Sequence, residues 1–283
     1  PNHPKFNVSV RRAALKRVWE TVSQAAGLAD GRVEVAKDSR EAVRGIAVPL
    51  KLGDMGETHF VLGDHWRDLF NKYLNSDDVD QVTVGRLRGW LQDKEAMGLP
   101  KEVQNLVILT FAEQTNRRFY LNGGPVEAQL ERLDDQLELR QQPLPQHADW
   151  AQAVERAGYL FGLTVPAQLN ASNVGRLVEE LRTRAGQHVD AVYRLCRGLN
   201  KRIDMVGGDR DSSERRRSAE VARELLNDIA QAEDNDVVRI LAQTDIPTSE
   251  TAVGTCISRA TDLAGVLEEF LARDDLTRHQ QRE

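Results

Sequence analysis

Cysteine is scarce in this chain. Cys196 and Cys256 are its two examples in 283 residues, far apart and without a metal-ligand neighbour. That excludes a disulfide framework, and two buried, inert thiols in a reducing cytoplasm are expected. Long apolar runs are missing as well. No stretch approaches the roughly 20 residues a membrane helix needs, so no membrane contact is expected. Arg11, Arg12, Lys16 and Arg17 interrupt the first helical segment, which therefore does not read as a signal peptide. The phosphate-binding pattern G-x-x-x-x-G-K-[ST] is absent. The glycine-bearing "VGGDRDSS" and "LGDMGETH" lack the lysine that would reach a phosphate and read as chain reversals. Neither G-x-S-x-G, H-E-x-x-H nor a paired Cys-x-x-Cys occurs. No catalytic residue, cofactor or metal is therefore expected in this segment, which reads as a non-enzyme.

What is present describes a protein with a real core. Hydrophobic residues make up 40% and charged residues 29%, in a length that suits one large or two ordinary domains. The net charge of −6 argues against a chain coated in nucleic acid and leaves room for a local basic face. The first residue is proline, so the chain is expected to be an excised or processed piece of a longer protein.

Apolar spacing predicts a helix over residues 8–28 and a short strand over 32–37. A helix capped by Asp38 or Ser39 follows and ends near Pro49. Residues 51–65, with three glycines, read as a loop around a short apolar segment. Asp64 is placed to cap the next helix. "LPKEVQNLVILTFAEQT" is apolar around most of its circumference and should be a buried helix. After it come an extended "RRFYLN", the turn "GGP", a helical "VEAQLERLD" and an extended "LELRQQ". "PLPQ" at 143–146 marks a domain boundary, beyond which the pattern is almost purely helical. One long helix spans 172–203 and a single last helix covers 248–275.

The expected fold is mainly α. A helical and mixed segment (1–63) precedes a winged-helix-like unit with a small β hairpin (64–142), and a long-helix bundle follows (146–283). In the middle unit "RRFYLN" pairs with "LELRQQ", and Gly123 and Gly124 free the turn. Arg117 and Arg118 at the root of the wing are the candidate DNA-binding residues. The helix before the wing is dominated by Val, Leu, Ile and Phe, which favours a structural or protein-docking role.

Two further features are weighed. Glu57, His59, Asp64, His65 and Asp68 lie within a dozen residues, a set that could hold a metal. His59 sits in the apolar run "THFVL", however, and Asp64 has a role at a helix start, so no metal is expected. Arg215, Arg216 and Arg217 read as a solvated helix face partnered by Glu214 and Glu220.

"MGLPKEVQNLVILTFAEQTNRRFYLNGGPVE", with "LELRQQPLP", "PNHPKF" and "PLKLGDMGETHFVL", resembles the phage-growth-limitation protein Y family. These are large P-loop proteins of bacteriophage-exclusion (BREX) systems. The resemblance covers most of residues 1–165. It implies a cytoplasmic bacterial protein whose ATPase module lies elsewhere in the longer chain, since the family's nucleotide motif has no counterpart here. Its implied partners are other defence-system proteins, with DNA and a second copy of the chain as candidates. Two rivals stand beside it. One is a stand-alone winged-helix DNA-binding regulator with a helical dimerisation region. The other is an enzyme using the Glu57–Asp68 cluster.

Overall fold

A computed structural model of the chain describes residues 3–77, 81–205, 209 and 213–280. The expected breaks within residues 78–80 and 206–212 fall largely outside the described residues. The protein is mainly helical with two small three-stranded sheets. It divides into two compact units. Residues 1–143 with 170–172 form the first, and residues 144–169 with 173–283 form the second.

The first unit is organised around α5 (Lys101–Gln114). Ten consecutive residues, 103–112, are buried. Such a helix has no solvent face, so neighbours must surround it. They are α1 (Arg12–Ala26), α3 (His65–Ser76), α4 (Val84–Gly89) and strand β4 (Arg117–Leu121). The buried polar side chains on α5 give their donors to main-chain carbonyls. Gln104 Nε2 donates to the Leu99 carbonyl at 2.7 Å, Asn105 Nδ2 to Leu130 at 2.8 Å, and Thr110 Oγ1 to Leu106 at 2.8 Å. Aromatic rings fill the space beside α5. Phe70 meets Phe111 edge-on at 5.1 Å and lies 5.6 Å from Trp66 and 6.1 Å from Trp90. The Trp66 indole N–H reaches the Leu50 carbonyl at 2.7 Å, so a fully buried ring keeps its one donor satisfied.

Residues 51–65 are not a loop. Strands β2 (Gly53–Met55) and β3 (His59–Leu62) form an antiparallel hairpin, and β1 (Arg32–Glu34) completes a sheet of order β1–β3–β2. Gly53 is required there: a Cβ would stand 2.1 Å from the Val61 carbonyl and 2.6 Å from the Phe60 ring. Gly53 therefore serves close packing between strands rather than a loop. A short helix, α2 (Arg40–Ala42), runs into a π-helical turn at Val43–Ala47. A second π-helical turn, Trp90–Lys94, prolongs α4.

The second sheet has the order β5–β4–β6, with β5 at Gly124–Val126 and β6 at Glu138–Gln141. β4 pairs with β6 from Arg117↔Gln141 to Tyr120↔Glu138. The turn does not join those two strands directly. Asn122 and Gly123, with φ of 52° and 85°, form a two-residue hairpin connection that leads from β4 into β5. Gly124 is already a strand residue opposite Leu121. The helix expected over "VEAQLERLD" is also absent: Val126 pairs with Phe119, and a tight turn closed by Gln129↔Arg132 follows. Leu130, Leu133 and Leu137 enter the core from this irregular segment, so their helical spacing reflects burial and not a helix. Thr83, the residue before α4, adds an isolated bridge to Glu138 of β6.

Among its described residues the second unit has helices and no strands. It comprises α6 (His147–Phe161), the part of α7 (Ala171–Met205) from residue 173 onward, α8 (Glu214–Gln231), α9 (Asp234–Gln243), α10 (Glu250–Ser258) and α11 (Ala260–Gln280). Gly162, at φ 66°, ends α6 in the left-handed conformation. α6 packs on α9 and α10, α8 on the same two helices, and α10 on α11. The expected single helix over 248–275 is broken at Arg259. Ser249 caps α10 by accepting from the Ala252 N–H at 3.1 Å. Gly254 lets α10 approach α6: a Cβ would sit 2.4 Å from the Tyr159 carbonyl.

Candidate functional site

The two arginines of β4 are half-buried and bonded to main-chain carbonyls. Arg117 donates from Nη1 to the Leu139 carbonyl at 3.2 Å, and its guanidinium lies 5.9 Å from the Phe111 ring centre. Burial draws its pKa below the ordinary arginine value. Arg118 Nη2 donates to the carbonyl of Ala171, which belongs to the same unit. Beside it, burial raises the Glu113 carboxyl above its usual range, against the pull of the Ser172 hydroxyl at 3.0 Å and of Arg118. The β4 strand thus carries two cations that each give a donor to a main-chain oxygen at the base of the sheet, while Arg117 Nε is buried without a hydrogen-bond partner.

The acidic and histidine-containing segment is dispersed. His59 Nδ1 meets Thr58 Oγ1 at 2.8 Å. Asp64 stands at the N-cap, immediately before α3, but its carboxylate makes no cap bond and pairs with Arg67 at 2.9 Å. Arg67 also takes Asp68, at 3.1 Å. His65 stacks edge-on against Trp66, and burial, followed by nearby Lys51, holds its imidazole below the usual value. Among the described residues, no three His, Cys, Asp or Glu side chains gather around a cation position.

Two inward-turned arginines, Arg88 buried and Arg156 half-buried, escape sequence reasoning. Arg88 of α4 pairs with Asp135 and Asn105 and donates to the Leu133 carbonyl at 2.8 Å, fixing the irregular segment before β6. Arg156 of α6 gives Nη1 to the carbonyls of Leu241, Ala242 and Thr244 at 2.8–3.0 Å, and Nε to Glu250 at 2.9 Å. It therefore closes the C-terminus of α9 and ties in the start of α10. A signal was available for each. Arg88 lies beside Leu87 and Leu91, and Arg156 lies three and four residues from buried Ala153 and Leu160.

An open cavity of about 740 Å³ lies in the second unit between α7, α8, α10 and α11. Leu195, Leu199, Leu263 and Leu267 line its apolar side, and Ser218 and Thr248, whose hydroxyls meet at 2.7 Å, stand on its polar side. Cys256 lines it half-buried. Cys196 is buried nearby in the core, with its thiol pushed up to about 11 by burial and bonded to the Ala219 carbonyl at 3.1 Å. A thiol so placed is a weak nucleophile. In the arginine run, Arg216 reaches Glu220 at 2.7 Å and Asn200 at 2.8 Å. Among the described residues, no helix is long and apolar enough to cross a membrane.

Two family models match this chain, one for each unit. The BREX System ATPase PglY protein 5th domain matches residues 13–112, and the 6th domain matches residues 154–272. The chain belongs to the PglY family. No solved structure matches it. The PglY fifth-domain match ends at Ala112, within α5, so β4 with Arg117 and Arg118 lies in the interval before the sixth domain. The Arg156 clamp and the cavity lining fall within the sixth.

Proposed function

We propose that this chain is a non-catalytic segment of a phage-defence ATPase that serves assembly in the cytoplasm by docking other proteins of its defence system. The observation that carries this reading is the burial of α5. In the succession of helix, helix, helix and hairpin, α5 occupies the place of a DNA-reading helix, yet residues 103–112 are enclosed. A helix without a free face holds a scaffold together and cannot enter a groove. The engagement of Arg117 with a carbonyl supports the same reading. Calorimetric titration of the chain with ATP should give no binding heat, and stoichiometric binding would overturn the proposal. Separately purified proteins of the same defence system should include one that binds the chain directly. Binding by none of them would remove the docking role.

A second reading is a winged-helix DNA-binding regulator with a helical dimerisation region. The bridge between Thr83 and β6 favours it, because it adds a short strand before α4 to a helix–helix–hairpin order. A gel-shift series at two salt concentrations separates the two readings. A salt-sensitive shift that disappears in Arg117→Ala/Arg118→Ala, with thermal stability unchanged, would favour the regulator.

A further inference from the structure

Protein interiors leave few voids larger than a water molecule, yet the second unit holds a cavity of about 740 Å³ between α7, α8, α10 and α11. Spaces of roughly 300–1,000 Å³ with apolar walls and a few placed polar groups are where proteins hold small molecules. The walls here are aliphatic. Leu195, Leu199, Leu263 and Leu267 form one side, and Val266 lines the space while remaining 67% exposed. Among the described lining residues there is no aromatic ring, so a nucleobase has nothing to stack on. Arg215 is the one cation among them, and Glu214 beside it carries the opposite charge, so a phosphate group finds no net attraction.

Most polar groups of the lining are engaged. Ser249 Oγ accepts from the Ala252 N–H at 3.1 Å, and Thr255 Oγ1 donates to the Thr251 carbonyl at 2.8 Å. Burial raises the pKa of the Cys256 thiol, which stays protonated and extends the apolar wall. The Ser218 and Thr248 hydroxyls share one hydrogen bond. That bond uses one hydrogen, and the accepting hydroxyl keeps its own to donate. Ser218 is only 2% exposed, so the pair meets the cavity from its buried side.

We infer that this cavity binds a flexible acyl chain ending in an uncharged carbonyl, as in a fatty-acyl ester, with the chain against the leucines and the carbonyl oxygen accepting from the Ser218–Thr248 pair. A flexible chain fills an aliphatic space of any outline, and each methylene it buries is worth roughly fourfold in affinity. A single donor suits a neutral carbonyl better than a carboxylate, which needs more donors or a free cation. The site is independent of the docking role, because none of its residues carries that reading.

The test uses the full chain and monodecanoin below its micelle concentration, followed by calorimetry and by the rate at which a maleimide alkylates Cys256. Cys196, buried and with its thiol pushed up to about 11, is the internal reference in peptide mass spectrometry. Binding should be saturable, and ligand at about ten times its Kd should slow Cys256 alkylation roughly tenfold and leave Cys196 unchanged. Mono-octanoin, two methylenes shorter, should bind about 15-fold more weakly. Ser218→Ala/Thr248→Val removes both hydroxyls together and should weaken binding about fivefold while keeping the dependence on chain length. If that variant loses its helical circular dichroism signal, Thr248→Val alone is read in its place. Val266→Trp, at an exposed position, should leave the fold intact and abolish binding by filling the cavity. Absence of saturable binding would overturn the inference. So would binding that leaves Cys256 alkylation unchanged, tighter binding of decanoate or of methyl naphthoate than of monodecanoin, or variants that bind like the native chain. A leucine-rich amphipathic peptide that protects Cys256 where monodecanoin does not would make the cavity a helix-docking groove and overturn it as well.

Discussion

The two units solve the problem of burial with different side chains. The first surrounds one helix with small elements, and its core is rich in large rings, including Trp66, Phe70, Trp90 and Phe111. The second lays helices against each other, and its core alternates leucine with alanine, including Ala153, Ala157, Ala219, Ala222, Ala260 and Ala264. Rings fill irregular space between elements that meet at many angles. Alanines let helix axes approach closely, so helical surfaces interlock without bulky fillers. The first core therefore depends on a few large contacts and the second on many small ones.

That difference is most easily broken at Trp66. Trp66→Ala should destabilise the first unit by about 4 kcal/mol, because it empties a fully buried ring and orphans the Leu50 carbonyl. Near-ultraviolet circular dichroism should lose its aromatic signal while most of the helical signal of the second unit persists. Loss of both signals together would mean that the units do not unfold separately. In the second unit the corresponding contact is polar, the Arg156 clamp. Arg156→Ala should cost roughly 3 kcal/mol, since it leaves three carbonyls and Glu250 without their donor, and chemical denaturation reads the loss. A loss below that of an ordinary surface substitution would show that water replaces the guanidinium. Ser249→Ala removes one cap bond from α10 and should cost about 1 kcal/mol by the same measurement.

The smallest effect is a change of slope. Burial raises the Glu113 pKa in the folded protein, so the folded state holds this proton more firmly than the unfolded chain. The stability linked to it is present below the unfolded carboxylate value and is lost as pH rises through the folded value. Glu113→Gln keeps an acceptor for Ser172 and removes the titration. Its urea midpoint should decline less than that of the native chain between about pH 4 and pH 8. Equal declines would place the pH dependence elsewhere.

Much of the helical framework was legible in the sequence because helical burial writes itself as a period. α5 is apolar around most of its circumference, and its burial follows from that. The stripe from Val174 to Leu199 likewise marks α7. The β hairpin over residues 53–62 was not legible, since Gly53 has the same signature in a loop as in a tight strand contact. "VEAQLERLD" misled for the opposite reason: Leu130 and Leu133 keep a helical spacing while entering the core from a turn. The break at Arg259 has no glycine or proline to announce it. Arg88 and Arg156 were easy to pass over because an arginine on a helix usually reaches solvent, and the apolar neighbours beside each were the signal that these two turn inward. Arg117 and Arg118 were visible as candidates, but the carbonyls they meet come from residues 139 and 171, which sequence distance conceals.

Strand β5 has a consequence for how the protein behaves at high concentration. It ends its sheet, and its middle residue, Pro125, stands opposite Tyr120. Proline has no N–H to offer, so the outer margin of the sheet lacks the donor that an incoming strand would need. Another molecule cannot extend this sheet by backbone pairing at that position. A crowded solution is thereby protected from one route to fibrillar assembly, and any lasting self-association must be built from side chains, where selection can tune it.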